Sequence, residues 1–417
     1  MIGIEYISVS NIISVGNTKK QQLVVQSILA ENRKIYKAFS LLITKNPDTI
    51  INVLNLAVIR QTTMHHIVTE DIQSIIKTIK KDAKVLEGKT VLVTGSCGFL
   101  GSYFMATLNE LNKSVFKKPC KIIAVDNHII GNKENILGDI KSKHITWIKR
   151  DICKPVNFKG PIDYIIHAAG IASPAYYMKF PLETIEVSTQ GVKRMLELAK
   201  EKKSKGMLFF SSSEIYGDPH PEYIPTPETY RGHVSSTGPR SCYDESKRLG
   251  ETICMTHFRL FNTPIKIIRP FNVYGPGMKP DDHRVLPKFL NCALQGEELP
   301  IHGNGLQTRT YSYVSDAIVG FFKVLFKGAP GEIYNIGSDQ NEINLVNLAN
   351  TVADIFPGRV KIKKIPYPKN YPGDEASRRC PDLTKAKTQL AFNPKIELKD
   401  GASRVLQWYK DEFYQES

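Results

Sequence analysis

The most informative part of this sequence reads Thr90-Val91-Leu92-Val93-Thr94-Gly95-Ser96-Cys97-Gly98-Phe99-Leu100-Gly101. The apolar and β-branched run predicts a buried strand, the glycines predict a tight turn, and residues 102–111 predict a helix. Glycines let a bound group approach the backbone closely, and the amides and dipole of a helix N-terminus attract anions. The order therefore predicts that Gly95, Gly98 and Gly101 hold the pyrophosphate of a dinucleotide. Three glycines alone are weak support, because a purely structural turn has the same pattern.

The next predicted strand, residues 121–125, strengthens this interpretation because it ends at Asp126. A carboxylate at this place accepts hydrogen bonds from an adenosine ribose and repels a 2′-phosphate. Since no Arg or Lys immediately follows Asp126, the sequence predicts NAD rather than NADP as cofactor.

Strands and helices continue to alternate along the chain. A third strand, 144–148, ends near Asp151 and Ile152, which are candidate adenine contacts, and a fourth leads into Ala168, where a cofactor would pass the strand ends. This alternation predicts an α/β fold of the Rossmann type, a doubly wound parallel sheet with ligands at the carboxyl ends of its strands.

A tyrosine and a lysine lie four residues apart in a segment of helical character, at Tyr243 and Lys247. On a helix these side chains share one face, although i,i+4 polar pairs are common on ordinary surfaces. A phenol acts as a base at pH 7 only if its pKa falls by roughly three units, worth about 4 kcal/mol, and a nearby ammonium contributes to that. Serines 211–213, after a predicted strand, provide hydroxyls near the same strand ends. Together they predict a proton-transfer site.

The composition excludes several classes of protein. The chain has 417 residues and a net charge of +15, but its Lys and Arg residues are scattered without a nucleic-acid motif, so an anionic small molecule is the expected partner and nucleic acid is not. The seven cysteines never form Cys-x-x-Cys, so neither a disulfide framework nor a metal site is predicted, and a cytoplasmic location is expected. No run reaches the ~20 apolar residues of a membrane helix, and the first residues lack a basic secretory leader.

Residues 1–87 are predicted to form an N-terminal helical extension. Segments 21–42 and 50–68 show mixed apolar spacing, and residues 70–86 alternate isoleucines with lysines as an amphipathic helix does. We expect this extension to pack on the body or on a partner.

Over residues 88–413 the chain resembles the extended short-chain dehydrogenase/reductase family of nucleotide-sugar enzymes, and within it the UDP-glucuronate decarboxylases. The stretches that carry the resemblance are Asp126-Asn127 with Gly131, Ala172-Ser173-Pro174 with Tyr177-Met178, Ser213-Glu214-Ile215-Tyr216-Gly217-Asp218-Pro219, Gly238-Pro239-Arg240-Ser241-Cys242-Tyr243-Asp244-Glu245, Arg269-Pro270-Phe271-Asn272-Val273-Tyr274-Gly275-Pro276, Asp281-Asp282-His283-Arg284-Val285, Gln307-Thr308-Arg309 with Tyr313-Val314-Ser315-Asp316, and Arg378-Arg379-Cys380-Pro381-Asp382.

The resemblance implies catalytic roles. Tyr243 would take the proton of the sugar C4 hydroxyl while hydride passes to NAD, Lys247 would hold the cofactor ribose and lower the pKa of the tyrosine, and Ser212 would share the proton relay. The resulting β-keto acid would lose carbon dioxide and be reduced again. Glu214 would act at C5 or on the ring, and Arg379 would lie near the substrate carboxylate.

The resemblance also implies binding residues and an arrangement of the chain. Phe99, Leu100 and Asn127 join the cofactor contacts, and the expected substrate contacts are Tyr177, Asn272, Arg284, Arg309 and Arg379. A Rossmann domain, 88–271, would be followed by a smaller sugar-nucleotide lobe, 272–417, interleaved with it. In this family, helices equivalent to those near 184–203 and 241–260 pair between subunits, so a homodimer is expected.

Three alternatives stay open. A 4,6-dehydratase normally has an acid where this chain has Ser213, and a simple 4-epimerase more often has a non-acidic residue at Glu214, although epimerases of uronic acids fit almost as well. A non-catalytic dinucleotide sensor or assembly subunit would explain the extension. It would have no need to retain Ser212, Tyr243 and Lys247 together.

Overall fold

The structure is a computed structural model that describes residues 64–131, 142–340, 342–356, 360–367 and 376–414. The described residues from His66 onward form one compact unit. The predicted helical segment 21–42 and most of the segment 50–68 lie outside the described residues.

A seven-stranded parallel sheet forms the centre of this unit and confirms the predicted Rossmann-like fold. Its strand order is β3-β2-β1-β4-β5-β6-β11, with β4 in the middle and β1 beside it. The strands are β1 (Thr90–Thr94), β2 (Lys121–Asp126), β3 (Ile145–Lys149), β4 (Tyr164–His167), β5 (Gly206–Phe210), β6 (Ile265–Pro270) and β11 (Ile333–Ile336). Strands β1 and β5 are buried along their whole length, as the continuous apolar runs of their sequences require in a sheet covered on both faces.

Helices cover the sheet and form part of the lobe beyond it. They are α1 (His66–Ile79), α2 (Phe99–Ser114), α3 (Pro174–Lys179), α4 (Pro181–Glu186), α5 (Val192–Glu201), α6 (Ser241–Phe261), α7 (Val285–Gln295), α8 (Val314–Lys327), α9 (Leu345–Ile355), α10 (Thr384–Leu390) and α11 (Leu398–Phe413). One π-helical turn, Val187–Gly191, joins α4 to α5. A buried apolar layer between the sheet and these helices includes Ile165, Leu196 and Phe209.

The C-terminal part of the chain, predicted to be the smaller lobe, adds short strands outside the large sheet. Its short strands are β7 (Val273–Tyr274), β8 (Leu299–His302), β9 (Thr308–Arg309), β10 (Ser312–Tyr313), β12 (Ile343–Asn344), β13 (Ile362–Ile365) and β14 (Arg378–Arg379). They pair as β10 with β7, β13 with β8, and β12, β9 and β14 in one three-stranded sheet. Strand β11, which follows several of these strands in the chain, lies in the large sheet beside β6.

Helix α1 packs on the body although it lies within the predicted N-terminal extension. Its Asp71 carboxylate accepts hydrogen bonds from Tyr103 of α2 at 3.3 Å, Tyr313 of β10 at 2.8 Å and Arg404 of α11 at 3.0 Å. Burial raises the pKa of Asp71 to about 6, against the opposing effects of Arg404 and Tyr313. Residues from His66 to the start of β1 are therefore part of the same compact unit as the sheet.

No helix within the described residues is both long enough and apolar enough to cross a membrane.

Candidate active site

The glycine turn lies between β1 and α2 and is shaped as the sequence predicts. Gly95 has a φ of +69°, and a Cβ there would lie 2.7 Å from the backbone nitrogen of Ala169. A Cβ on Gly101 would overlap the carbonyl group of Gly95. Only glycine fits either position without displacing the backbone. The turn therefore brings the N-terminus of α2 close to the ends of β1 and β4.

A pocket opens along these strand ends. It is lined by most of the predicted cofactor contacts, namely Gly95, Gly98, Asp126, Asn127, Asp151, Ile152 and Ala168. The strand register explains the grouping, because Thr94, the last residue of β1, pairs with Val125 of β2 and with His167 of β4. Phe99 and Leu100 lie in the first turn of α2, beside the pocket rather than in its lining.

Asp126 is held in place at the end of β2 by two backbone amides. Its Oδ2 accepts a hydrogen bond from the Cys97 N–H at 2.9 Å, and its Oδ1 accepts one from the His128 N–H at 2.8 Å. The carboxylate is thus fixed at the edge of the pocket where an adenosine ribose is expected. The glycine turn, the helix N-terminus and this acid together fit NAD.

Potential metal ligands also meet beside the pocket. Ligand atoms of Cys97, Asp126 and His128 lie within 4.8 Å of one another. Both oxygens of Asp126 already accept the backbone hydrogen bonds just described. The grouping follows from the shape of the ribose side of the pocket, and we assign it no metal role.

The predicted Tyr243 and Lys247 lie one turn apart near the start of α6, and both are buried. The Lys247 Nζ donates a hydrogen bond to the Phe210 carbonyl at the end of β5, at 2.8 Å, and lies 5.8 Å from the centre of the Tyr243 ring. A Cβ on Gly170, which lines the cofactor pocket, would lie 3.1 Å from the same Nζ. The lysine is therefore placed between the tyrosine and the pocket.

Ser212 completes this group of side chains. It caps the short 3₁₀ helix Ser213–Tyr216, where its Oγ accepts a hydrogen bond from the Glu214 N–H at 3.2 Å. Burial raises the pKa of Tyr243, and a hydrogen bond with Ser212 opposes this effect. Burial also lowers the pKa of Lys247 to about 8. Desolvation of the phenol thus dominates the pKa of Tyr243, and the expected lowering of that pKa by Lys247 stays a prediction.

Tyr177, one of the predicted substrate contacts, covers the other face of the Tyr243 ring. The two ring centres are 5.3 Å apart and the ring planes are inclined by 15°, which is a stacked arrangement. The Tyr177 side chain is buried, so it limits how the Tyr243 ring can move. The sequence alone gives no sign of this stacking.

Glu214 lies at the centre of a cluster of charges next to this group. Its two carboxylate oxygens accept short charge-assisted bonds, Oε2 from Arg240 and Oε1 from Arg379. Burial alone would raise the pKa of Glu214, but Arg379, Arg240 and Arg309 outweigh burial and lower the pKa. Glu214 is therefore a carboxylate at neutral pH.

Pairing between short strands brings two of these arginines together. Strand β14 runs parallel to β9, and Arg379 is the register partner of Arg309. Both side chains are buried, and the Arg309 Nη1 donates to the Thr308 carbonyl at 2.8 Å. The sequence predicts both arginines as substrate contacts, and the structure shows that the same strand pair presents them.

Two further charged residues of the cluster, Arg240 and Asp244, were missed as functional residues in the sequence analysis. They occupy positions i and i+4 at the start of α6, with the Arg240 Nε 3.6 Å from the Asp244 Oδ2. Burial and the charge of Glu214 raise the pKa of Asp244 to about 7, against the opposing effect of Arg240. Their i,i+4 spacing, three residues before that of Tyr243 and Lys247, is the signal in the sequence that points to them.

The remaining predicted substrate contacts lie at the ends of lobe elements. Asn272 has a φ of +40°, and its Nδ2 donates to the Thr310 carbonyl at 2.8 Å. Arg284, at the start of α7, forms a two-pronged pair with Asp282 at 2.9 and 2.7 Å. Tyr243 is among the groups whose charge acts on Arg284. This places the guanidinium on the same side of the molecule as the tyrosine.

Comparison with known proteins agrees with this architecture. Residues 91–337 match the NAD dependent epimerase/dehydratase family. UDP-glucuronic acid decarboxylase 5 of Arabidopsis thaliana is 38% identical over 313 residues, covering 75% of this chain and 86% of that protein. UDP-glucuronic acid decarboxylase 1 of Xenopus tropicalis is 34% identical over 324 residues, covering 78% of this chain and 73% of that protein.

A solved structure gives the same result for the fold. The crystal structure of UDP-glucose 4-epimerase from Thermotoga maritima with UDP-glucose superposes with a TM-score of 0.66 at 26% identity, covering 77% of this chain and 99% of that chain. The glycine turn, Asp126 and the Tyr243–Lys247 pair occupy the region matched by the family. The chain therefore belongs to the NAD dependent epimerase/dehydratase family and is an NAD-dependent enzyme of the extended short-chain dehydrogenase/reductase type.

Proposed function

We propose that this enzyme is a UDP-glucuronate decarboxylase, which oxidises C4 of a UDP-hexuronic acid, releases carbon dioxide and reduces the resulting ketone. The charge cluster around Glu214 is the observation that carries the proposal. Three arginines, 240, 309 and 379, act on one buried carboxylate there, and guanidinium groups gathered in this way suit an anionic sugar. The names of the two decarboxylase relatives support the same substrate.

Tyr243, Ser212 and Lys247 are proposed to carry out the oxidation and the later reduction. Bound NAD supplies the acceptor, and afterwards the donor, of the hydride. Tyr243 takes the O4 proton and later returns it, with the Ser212 hydroxyl hydrogen-bonded to the phenol throughout. Lys247, fixed by the Phe210 carbonyl, holds positive charge between the phenol and the cofactor pocket. That charge stabilises the phenolate formed when Tyr243 gives up its proton.

Glu214, Arg240 and Arg379 are proposed to act on the carboxylate end of the sugar. The guanidinium groups are planar forks suited to carboxylates, and Arg379 and Arg309 come from one strand pair that faces Glu214. Glu214 remains ionised beside the ring and can orient it at C5. An enolate stabilises the carbanion that decarboxylation leaves at C5, so the preceding oxidation at C4 is what makes the loss of carbon dioxide easy.

The proposal is tested by incubating the purified protein with NAD and UDP-glucuronate and following the mass of the sugar nucleotide. Decarboxylation predicts release of carbon dioxide and a UDP-pentose. Recovery of UDP-galacturonate without loss of mass would make the enzyme a uronate 4-epimerase, and loss of water would make it a dehydratase. No change with any nucleotide sugar, together with retained NAD binding, would indicate the non-catalytic sensor.

We also propose that the enzyme is a homodimer built on α4 and α6. These neighbouring helices expose Leu182, Ile185 and Leu249, with 70%, 38% and 50% of their surfaces accessible. An exposed apolar face of this kind is costly in water and fits a second copy of the same helices. Leu182→Glu should shift the protein from dimer to monomer in light scattering after gel filtration. An exposed-residue control, Leu306→Glu, should leave the dimer intact.

A cytoplasmic location is proposed on chemical grounds. All seven cysteines lie among the described residues and are thiols rather than disulfides. This state fits a reducing compartment.

A further inference from the structure

The proposed reaction consumes one proton that the Ser212–Tyr243–Lys247 group does not provide. Tyr243 removes a proton from O4 and returns it, and the hydride leaves C4 and comes back. The only bond without a supplier is the new C–H bond at C5, which replaces the bond to the carboxylate. A group near the carboxylate end of the sugar must therefore hold a proton at the start of each turnover.

Asp244 is placed for this task. Its residue surface is 7% exposed, and its Oδ1 is buried with no hydrogen-bond partner among the described residues. Its other oxygen lies 3.6 Å from the Arg240 Nε, and Arg240 and Arg379 both bond Glu214. Asp244 directly follows Tyr243 on α6, so it lies about 100° around the helix from the tyrosine, on the side of Glu214.

The surrounding charges assign the proton to Asp244 rather than to Glu214. Glu214 is adjacent to two arginines, which hold its pKa below the ordinary value. Three charged groups act on Asp244, namely Glu214 from the 3₁₀ helix, Arg240 from the start of α6 and Arg379 from β14. The phenols of Tyr177 and Tyr243 are its titratable neighbours. Burial and the negative charge of Glu214 raise the pKa of Asp244 to about 7. Of the two carboxyl groups, Asp244 is the one that holds a proton near neutral pH.

We propose that Asp244 is the general acid that protonates C5 after decarboxylation. This inference rests on the proposed decarboxylase function.

The bond from C5 to the carboxylate carbon breaks, carbon dioxide leaves, and the electron pair passes to the C4 carbonyl to form an enolate. The enolate then forms a C5–H bond with the Asp244 proton, which leaves Asp244 as a carboxylate and restores the C4 ketone. Water reprotonates Asp244 before the next turnover.

The test separates carbon dioxide release from the completion of the product. In rapid-quench single turnovers with UDP-glucuronate, Asp244→Asn should release carbon dioxide within about twofold of the wild-type rate. It should form the final UDP-pentose at least tenfold more slowly. Glu245→Gln, the next residue on the helix with an exposed side chain, should match the wild type in both steps.

The proposal is overturned if Asp244→Asn slows both steps together, as a positioning role would, or slows neither. If the variant does not fold, the wild type provides the test by itself. The rate of final UDP-pentose formation, divided by the rate of carbon dioxide release, should fall as the pH rises above about 7. The ratio cancels the loss of charge from Lys247, whose pKa of about 8 affects the oxidation that precedes both steps. A flat profile between pH 7 and 9 would exclude Asp244 as the acid. Failure of the wild type to release any carbon dioxide would reject the proposed function instead.

Discussion

Two buried arginine–carboxylate clusters lie on either side of the serines that follow β5, and they are built differently. In the first, Arg269 and Glu251 form a complete fork, with hydrogen bonds of 2.8 and 2.6 Å. The remaining Arg269 Nη1 donates to the Tyr216 hydroxyl at 2.7 Å, and Ser211 donates to Glu251. One cation faces one anion, and the surrounding polar groups complete the pair.

In the second cluster the pairing is unequal. Glu214 is shared between Arg240 and Arg379, Arg309 adds a third positive charge, and Asp244 holds a pKa of about 7. A matched buried pair rigidifies a fold, whereas a carboxylate shared between several guanidinium groups, beside an acid that holds a proton, suits an anionic reactant. The difference separates a structural ion pair from a candidate active site without any appeal to relatives.

The largest expected effect is on turnover, from Glu214→Gln. The change removes the shared negative charge but keeps the size and a hydrogen-bond acceptor, so we expect the turnover number to fall about 10³-fold, roughly 4 kcal/mol in the activation free energy. Since Arg240 and Arg379 lose their shared anion, the free energy of unfolding should also fall, by about 3 kcal/mol. Initial rates with UDP-glucuronate and urea unfolding measure the two quantities. A variant with more than a tenth of the wild-type turnover would contradict a catalytic role for Glu214.

The matched change in the first cluster, Glu251→Gln, should lower stability by a similar amount but leave turnover nearly intact. It leaves the buried Arg269 guanidinium without its anion, which costs about 3 kcal/mol of unfolding free energy. Urea unfolding measures this cost. The folded fraction should keep turnover within about tenfold, since Glu251 contacts Ser211 rather than Ser212. If turnover collapsed while stability held, the distinction between the two clusters would be lost.

Some features of the candidate site can be predicted from the sequence, and others depend on how the chain folds. The turn Gly95–Gly101, the acid after β2 and the Tyr243–Lys247 spacing are local patterns, and local patterns are set by strand and helix periodicity. The meeting of Arg379 with Arg309 depends on the pairing of two short lobe strands that are 70 positions apart in register. No periodicity encodes such a pairing. The pKa of Asp244 depends on burial, and the resting partner of Arg284 is Asp282 rather than a substrate group, so neither could be predicted from residue types alone.

The stability contributed by a further buried carboxylate, Asp71 on α1, is expected to depend on pH. Its folded-state pKa of about 6 lies above the ~3.9 of an unfolded aspartate, so the folded protein binds this proton more tightly. The associated stability is fully present below about pH 4 and is lost as the pH rises through 6. Relative to Asp71→Asn, the wild type should lose about 2 kcal/mol of unfolding free energy between pH 4 and pH 7. Urea unfolding at both pH values measures the change. A difference between the two proteins that did not vary with pH would show that Asp71 is not protonated in the fold.

The smallest expected effect comes from Arg379→Lys. This substitution tests whether the second cluster binds the carboxylate of the substrate. Lysine keeps the positive charge but offers a single ammonium in place of a planar fork, so a carboxylate bound by two parallel hydrogen bonds loses one of them. We expect UDP-glucuronate to bind about tenfold more weakly, a difference of about 1.4 kcal/mol. UDP-xylose, which has no carboxylate, should bind within twofold of its wild-type affinity. Calorimetry on both ligands provides the comparison, and the same substitution at Arg269 serves as the control because that guanidinium contacts Glu251 and not the substrate cluster.

Equal weakening of both ligands by Arg379→Lys would mean that Arg379 positions the lobe as a whole. The arginines around Glu214 would then select nucleotide sugars in general rather than uronic acids.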